Sequence, residues 1–453
     1  MDIAKFINQP FMHPDTAQDF SARLFVQAML DFELAIIAAR EQQNLIPTGT
    51  LQQFKQVLAI GNFDIEAIGA QTYLGGNAAI PFVKEVKTLL PKELKPYFHQ
   101  TVTSQDVVDT AMMMMLKPVL KRINQDLLEI LQACSLLIET HQATPMTGRT
   151  LLQQALPITF GVKVAQWVSS LTTVLPNLQR LEHEGLYLQW GGPVGVSDAE
   201  NEHYELPKQV ASLLDLSLPL LPWHTNRQPI HALASALDAC VSAMENIAQD
   251  IALMSQSELR EVAEPAIKGM GGSSSMPHKR NPVLCALIKT AALRMHGHLS
   301  VISNTTAQPF ERGLGEWHAS WTPLTEGMAL VAGAAFYLKT LLQGLQVYPE
   351  RMAANLDLNS DAYLVEPLKS YFADYQKQVY PLIEHAGQQA HKEHRGFVQT
   401  FLELVEKQSI ELNSDNKFTT ILSPLTYCGA SSRQCQAVLQ AITTLTQSLN
   451  SRE

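Results

Sequence analysis

Apolar residues recur along this chain at alternating intervals of four and three. Leu116, Leu120, Ile123, Leu127, Ile130, Cys134 and Leu137 form one series, and Leu233, Leu237, Cys240, Met244, Ile247, Ile251 and Met254 form another. This spacing places one apolar seam along a helix and suits near-parallel packing in a bundle. The windows Val119–Thr144 and Ile230–Glu264 contain neither Gly nor Pro. A helix of ~26 residues would be roughly 40 Å long. Pro118 lies inside the first seam and predicts a kink or a helix start there.

β-branched residues are frequent between Ile158 and Val174, but Val162, Ala165, Val168, Leu171 and Val174 recur every three positions and favour a helix. No stretch alternates convincingly enough to predict a strand. The expected fold class is all-α, with three helical domains. Breaks near Gly75-Gly76, Pro91 and Pro349 suggest an N-terminal helical domain over 1–105, a central long-helix bundle over 106–350 and a C-terminal helical domain over 351–453.

Composition narrows the function classes. The chain has 453 residues, 46% hydrophobic and 17% charged, against about 25% charged in an ordinary soluble protein. A disordered chain is excluded, and low charge suggests surface hidden against other subunits. With 33 Lys+Arg against 43 Asp+Glu, the net charge of −10 argues against nucleic-acid or anionic-membrane partners. Cys134, Cys240, Cys285, Cys428 and Cys435 are scattered without metal-ligand spacing, as expected of small core residues in a reducing compartment. No apolar run approaches the ~18 residues of a membrane span, and the first residues do not read as a signal peptide. These features predict a cytoplasmic protein.

One segment breaks the helical pattern: Gly269-Met270-Gly271-Gly272-Ser273-Ser274-Ser275-Met276-Pro277-His278-Lys279-Arg280-Asn281-Pro282. Glycines free the backbone and expose N–H groups, serines supply hydroxyls, and Lys279 and Arg280 supply charge. Such a loop suits an anion. The order of residues is not that of a P-loop, and composition alone fits a flexible linker as well.

The run G-S-S-x-M-P-x-K-x-N-P at Gly272–Pro282 resembles the signature of the fumarase/aspartase superfamily. Thr103-Ser104-Gln105-Asp106-Val107-Val108-Asp109-Thr110 is similar to its first signature region, and Gly148–Gly161 to its second. The blocks occur in the superfamily order. In lyases of the superfamily the second region reads G-R-T-H-x-Q; here Leu151 stands at the His position and can donate neither a proton nor a hydrogen bond. The stretch Gly75–Pro81 likewise lacks the His-Asp pair of adenylosuccinate-type lyases. Phe25–Glu33, Gly76–Pro81, Gly148–Lys163, Pro222-Trp223-His224-Thr225 and Glu311–His318 instead resemble the bacterial 3-carboxy-cis,cis-muconate cycloisomerase family. Gln100-Thr101-Val102 departs from that family's usual Trp-Gly-Ala.

The resemblance implies a lactonisation in protocatechuate (β-ketoadipate) breakdown, in which one carboxylate of a tricarboxylate adds across a neighbouring double bond. It implies Ser273 as the proton shuttle and Lys279 as the cation beside it. Substrate contacts are implied for Thr103, Ser104, Arg149, Thr150, Gln153, Ser274, Asn281 and Arg312. For Arg149 a structural role stays equally open. No metal or cofactor is implied, and superfamily members are usually homotetramers whose sites draw on different subunits. His224 and His318 are acid/base candidates by residue type, but a satisfied structural role is the ordinary reading of a lone histidine. The competing readings are an adenylosuccinate-type lyase releasing fumarate and a catalytically silent helical binding protein.

Overall fold

The computed structural model describes residues 3–450, apart from 15–18, 197–204, 273–275, 277–278, 357–361, 394 and 409–415. Helices dominate it, as the seams predict. Ser104–His141 is a single helix of 38 residues. Four more long helices follow: Phe160–Glu184, Gln228–Met254, Val283–Asn304 and Trp321–Gln343. Pro118 sits inside the Ser104–His141 helix, so that helix starts at Ser104 and not at the proline.

The seams are buried. In the first, Leu116, Leu120, Ile123, Leu127, Ile130 and Cys134 are inaccessible, but near the end Ile138 takes the buried position beside a half-exposed Leu137. A straight helix repeats every 3.6 residues, so a strict seven-residue seam drifts off the buried face. Every seam residue from Leu233 to Met254 is buried. Cys134, Cys240, Cys285 and Cys435 are buried and Cys428 is half-buried, all as free thiols. Burial pushes the Cys134 and Cys240 thiols up to about 12.

Strands do occur, contrary to the sequence reading. Pro145–Thr150 (β1) pairs antiparallel with Gln153–Thr159 (β2), and Val262–Ala263 (β3) pairs with Gln346–Val347 (β4). The first hairpin lacks clean alternation because its register slips between Thr147 and Arg149. Gly148 sits at that slip, where a Cβ would stand 2.7 Å from the Leu156 carbonyl.

The chain divides into two compact units, and the division passes within the five long helices. The first gathers 1–127, 173–245 and 287–337. Its core includes Met29, Leu30, Phe32 and Ile36 of the Ala22–Gln42 helix, whose first turn is capped by Ser21 accepting from Leu24 N–H. Phe54 and Phe82 both pack on Phe98. The second unit gathers 128–172, 246–286 and 338–453. Its C-terminal helices share a core that includes Leu368, Phe372, Ile383, Phe397 and Phe401.

Candidate active site

In the first unit the first signature region opens the long helix. Asp106 accepts from Thr103 N–H at 2.9 Å, the backward half of a capping box. The same residues also build a polar cluster. Arg312 donates through Nη1 to Thr103 Oγ1 at 2.7 Å and through Nε to Gln105 Oε1 at 3.1 Å. The Arg312 guanidinium also lies 5.7 Å from the Trp317 ring centroid. Ser104 is half-exposed at the helix start.

Behind this edge lie buried ionic pairs that the sequence reading did not assign. Asp106 is fully buried and accepts four hydrogen bonds, from Thr103 N, Gly191 N, Gly192 N and His224 Nε2. Burial pushes its carboxyl up, while the His224 ring and the backbone donors pull the other way. Asp109 pairs with buried Arg227 at 2.6 Å and accepts from Trp317 Nε1 at 3.0 Å. Two acids three residues apart at the head of an otherwise apolar helix were the available signal. His224 is thus a satisfied buried histidine whose ring is locked onto Asp106.

The segment entering this helix is strained. His99 and Thr101 both have positive φ, 59° and 64°. His99 Nδ1 lies 2.6 Å from an oxygen of fully buried Glu33, and buried Thr101 Oγ1 has no hydrogen-bond partner among the described residues. Nearby in sequence, Asn77 Oδ1 accepts from Ala79 N–H at 3.1 Å at the start of the Ala79–Leu89 helix, a local reason for the Gly-Asn run there.

In the second unit the second signature region is the β1–β2 hairpin. Thr150 faces Gln153, so Leu151 and Leu152 form a two-residue turn, with φ of 52° and 63°. Such turns normally take Asn-Gly because both residues are left-handed. Leu151 is 97% exposed and Leu152 73%, with exposed Thr150 and Gln153 beside them. The hairpin is fixed next to its turn, at the Arg149–Gln154 pair. Arg149 holds Glu261 in a two-point ion pair, and Asn355 donates to the same carboxylate at 2.9 Å.

The third signature region follows β3. Gly271 O accepts from Asn281 N–H at 2.9 Å, and Gly272 bridges to Arg280, closing the neck of the loop. Gly271 has φ 72°, and a Cβ there would stand 2.9 Å from the Asn281 carbonyl, so only glycine fits. Arg280 ties the neck to Gln346 Oε1 and Glu264 O, each at 2.9 Å. The Glu264 carboxylate accepts from Leu284 and Cys285 N–H at the start of the next helix. Lys279 is exposed. Ser273 and Ser274 lie outside the described residues. The structure thus joins Thr103 and Arg312 in one cluster, Arg149, Thr150 and Gln153 on one hairpin, and Lys279 and Asn281 on one loop. Among the described residues no group of acidic, His and Cys side chains could hold a metal, and no helix is long and apolar enough to cross a membrane.

Comparison with known proteins agrees with these motifs. A family model described as lyase matches residues 13–297. A 3-carboxy-cis,cis-muconate cycloisomerase of Bradyrhizobium diazoefficiens is 34% identical over 93% of this chain and 94% of its own. A nitrosuccinate lyase of Streptomyces davaonensis is 34% identical over 76% of this chain and 74% of its own. The crystal structure of 3-carboxy-cis,cis-muconate lactonizing enzyme from Pseudomonas putida superposes with a TM-score of 0.89 at 32% identity, covering 98% of this chain and all of that one.

Proposed function

The chain belongs to the lyase family of the fumarase/aspartase superfamily, and on that premise we propose that it lactonises 3-carboxy-cis,cis-muconate to 4-carboxymuconolactone in protocatechuate breakdown. A substrate carboxylate oxygen forms a C–O bond to one carbon of the adjacent double bond. The π electrons move to the carbon α to a second carboxylate, which becomes an aci-carboxylate. The Ser273 hydroxyl delivers a proton to that carbon, and the resulting alkoxide regains one from solvent. Lys279 and the loop N–H groups supply the positive potential that both oxyanions require. Arg312, Asn281, Ser274, Thr103, Ser104, Thr150 and Gln153 hold the carboxylates, and Arg149 sets the hairpin that carries two of them. In this reading several copies of the chain, as a homotetramer, assemble each site.

The observation that carries the proposal is Leu151. It occupies the hairpin tip, 97% exposed, where lyases of the superfamily place a histidine. Run backwards, the lactonisation expels a carboxylate, a weak base that needs no proton as it leaves. A leucine suffices there, whereas an amine leaving group would need an acid. The same argument admits a second reading, elimination of nitrite from a nitrosuccinate, which the Streptomyces relative favours. Ultraviolet assays with 3-carboxy-cis,cis-muconate, nitrosuccinate and adenylosuccinate separate these cases. Loss of the conjugated diene with lactone appearing supports the proposal, and fumarate from adenylosuccinate without muconate turnover would overturn it.

A further inference from the structure

Within the second unit a cleft of about 1420 Å³ lies beside the neck of the signature loop. Its walls carry five cations, Arg260, Lys268, Lys279, Arg280 and Arg351, against three carboxylates, Glu258, Glu264 and Glu350. The chain as a whole has the opposite balance, with a net charge of −10. Among the described residues none of these five cations is paired with a carboxylate. Their hydrogen bonds go to neutral acceptors. Arg260 Nε donates to Ser257 O at 2.7 Å, and Arg351 donates to Leu259 O at 3.1 Å and Glu258 O at 3.0 Å. Arg280 is held by Gln346 and a backbone carbonyl. Carbonyls orient a guanidinium without cancelling its charge. Of the three acids, Glu264 is already committed to two backbone N–H groups. Arg260 is also left-handed, with φ 52°, a strain that persists where surrounding structure imposes it and that clusters at ligand sites.

We propose that Arg260, Lys268 and Arg351 form a carboxylate-receiving wall beside Lys279, a substrate-binding surface outside the three signature regions. The proposal rests on the lactonisation reading and extends it: the signature loop needs one anion at its neck, whereas an open-chain tricarboxylate brings three. Among the described residues, both terminal nitrogens of Arg260, Nη1 of Arg351 and the Lys268 ammonium make no hydrogen bond and are available to it. Arg can take a carboxylate at two points and Lys acts as a point charge. Low-dielectric cleft walls focus the field of such unpaired cations and raise the local concentration of anions. That attraction is screened beyond a Debye length of about 8 Å at physiological salt.

The test compares wild-type protein with Lys268→Gln, Arg260→Gln and the double variant in steady-state lactonisation at low and high salt, with tricarballylate as inhibitor. The double variant is expected to raise KM and the tricarballylate inhibition constant together by about tenfold or more, with kcat within about twofold and a flatter salt dependence. Unchanged KM and inhibition constant would overturn the proposal, as would a loss of kcat at constant KM. If the wild type turns over no muconate, the lactonisation reading fails by itself. Calorimetric titration with tricarballylate then judges the wall alone: binding to wild type that is lost in the double variant supports it, and no binding, or equal binding by both, rejects it.

Discussion

Arg149 and Glu261 meet through two parallel hydrogen bonds, Nη1–Oε2 at 2.9 Å and Nη2–Oε1 at 2.7 Å, with the glutamate side chain fully buried. A two-point guanidinium contact fixes orientation as well as distance. It ties the turn end of β1 to the chain just before β3, where Asn355 also grips the carboxylate. Removing one partner leaves the other charge buried. Arg149→Ala is therefore expected to cost about 3–5 kcal/mol, read by urea unfolding. A loss below about 1 kcal/mol, the range of an exposed pair, would show that the pair does not hold the hairpin.

The hairpin tip predicts a trade between stability and activity. Leu151 and Leu152 occupy left-handed backbone, which costs a non-glycine residue roughly 1–2 kcal/mol. The double change Leu151→Asn, Leu152→Gly supplies the preferred turn and removes two exposed leucines. Unfolding free energy should rise by about 1 kcal/mol or more, while lactonisation falls because the tip belongs to the proposed site. A stabilised variant with full activity would remove the hairpin tip from the site.

Thr101 is a β-branched residue at φ 64° with a buried hydroxyl that has no partner among the described residues. Thr101→Gly relieves both faults and restores the family's usual residue, at the cost of extra freedom in the unfolded chain. A net gain of about 1 kcal/mol is expected in chemical denaturation. A destabilised variant would mean that the hydroxyl or the methyl packs better than the strain costs.

His296 offers a pH signature within the first unit. Its pKa is raised, first by the hydrogen bond to Asp238 at 2.6 Å and further by Glu245 at 3.7 Å. A histidine with a raised folded-state pKa adds stability that is complete below its ordinary value of about 6.5 and fades as pH climbs through the raised value. Melting curves of wild type and Asp238→Asn should therefore differ more at pH 6 than at pH 9. A gap that stays constant with pH would assign the loss to packing.

Ser273→Ala tests the proton shuttle. General acid catalysis contributes about 10²–10⁴-fold, so kcat should fall by that order with the fold intact. Near-normal turnover by a folded Ser273→Ala protein would remove the serine from the mechanism.

Much of this was legible in order along the chain. The two heptad seams gave the long helices because each series repeats close to the helical period. The three signature blocks gave the family because their residue types and spacing are specific. The β1–β2 hairpin was hidden because its bulge at Gly148 breaks alternation and its turn carries Leu-Leu where sequence rules look for Asn-Gly. The ionic interior was hidden for another reason. Asp106 with His224, Asp109 with Arg227, and Arg149 with Glu261 are each separated by more than a hundred residues. An acid on a helix reads as solvated until a distant partner is shown to close over it. The sequence by itself determined helices, motifs and the missing histidine at Leu151, because local periodicity and residue chemistry are properties of short stretches. Only the tertiary structure decided which charges are cancelled and which, like Arg260 and Lys268, are left facing open space, because pairing depends on the distance between side chains far apart in the chain.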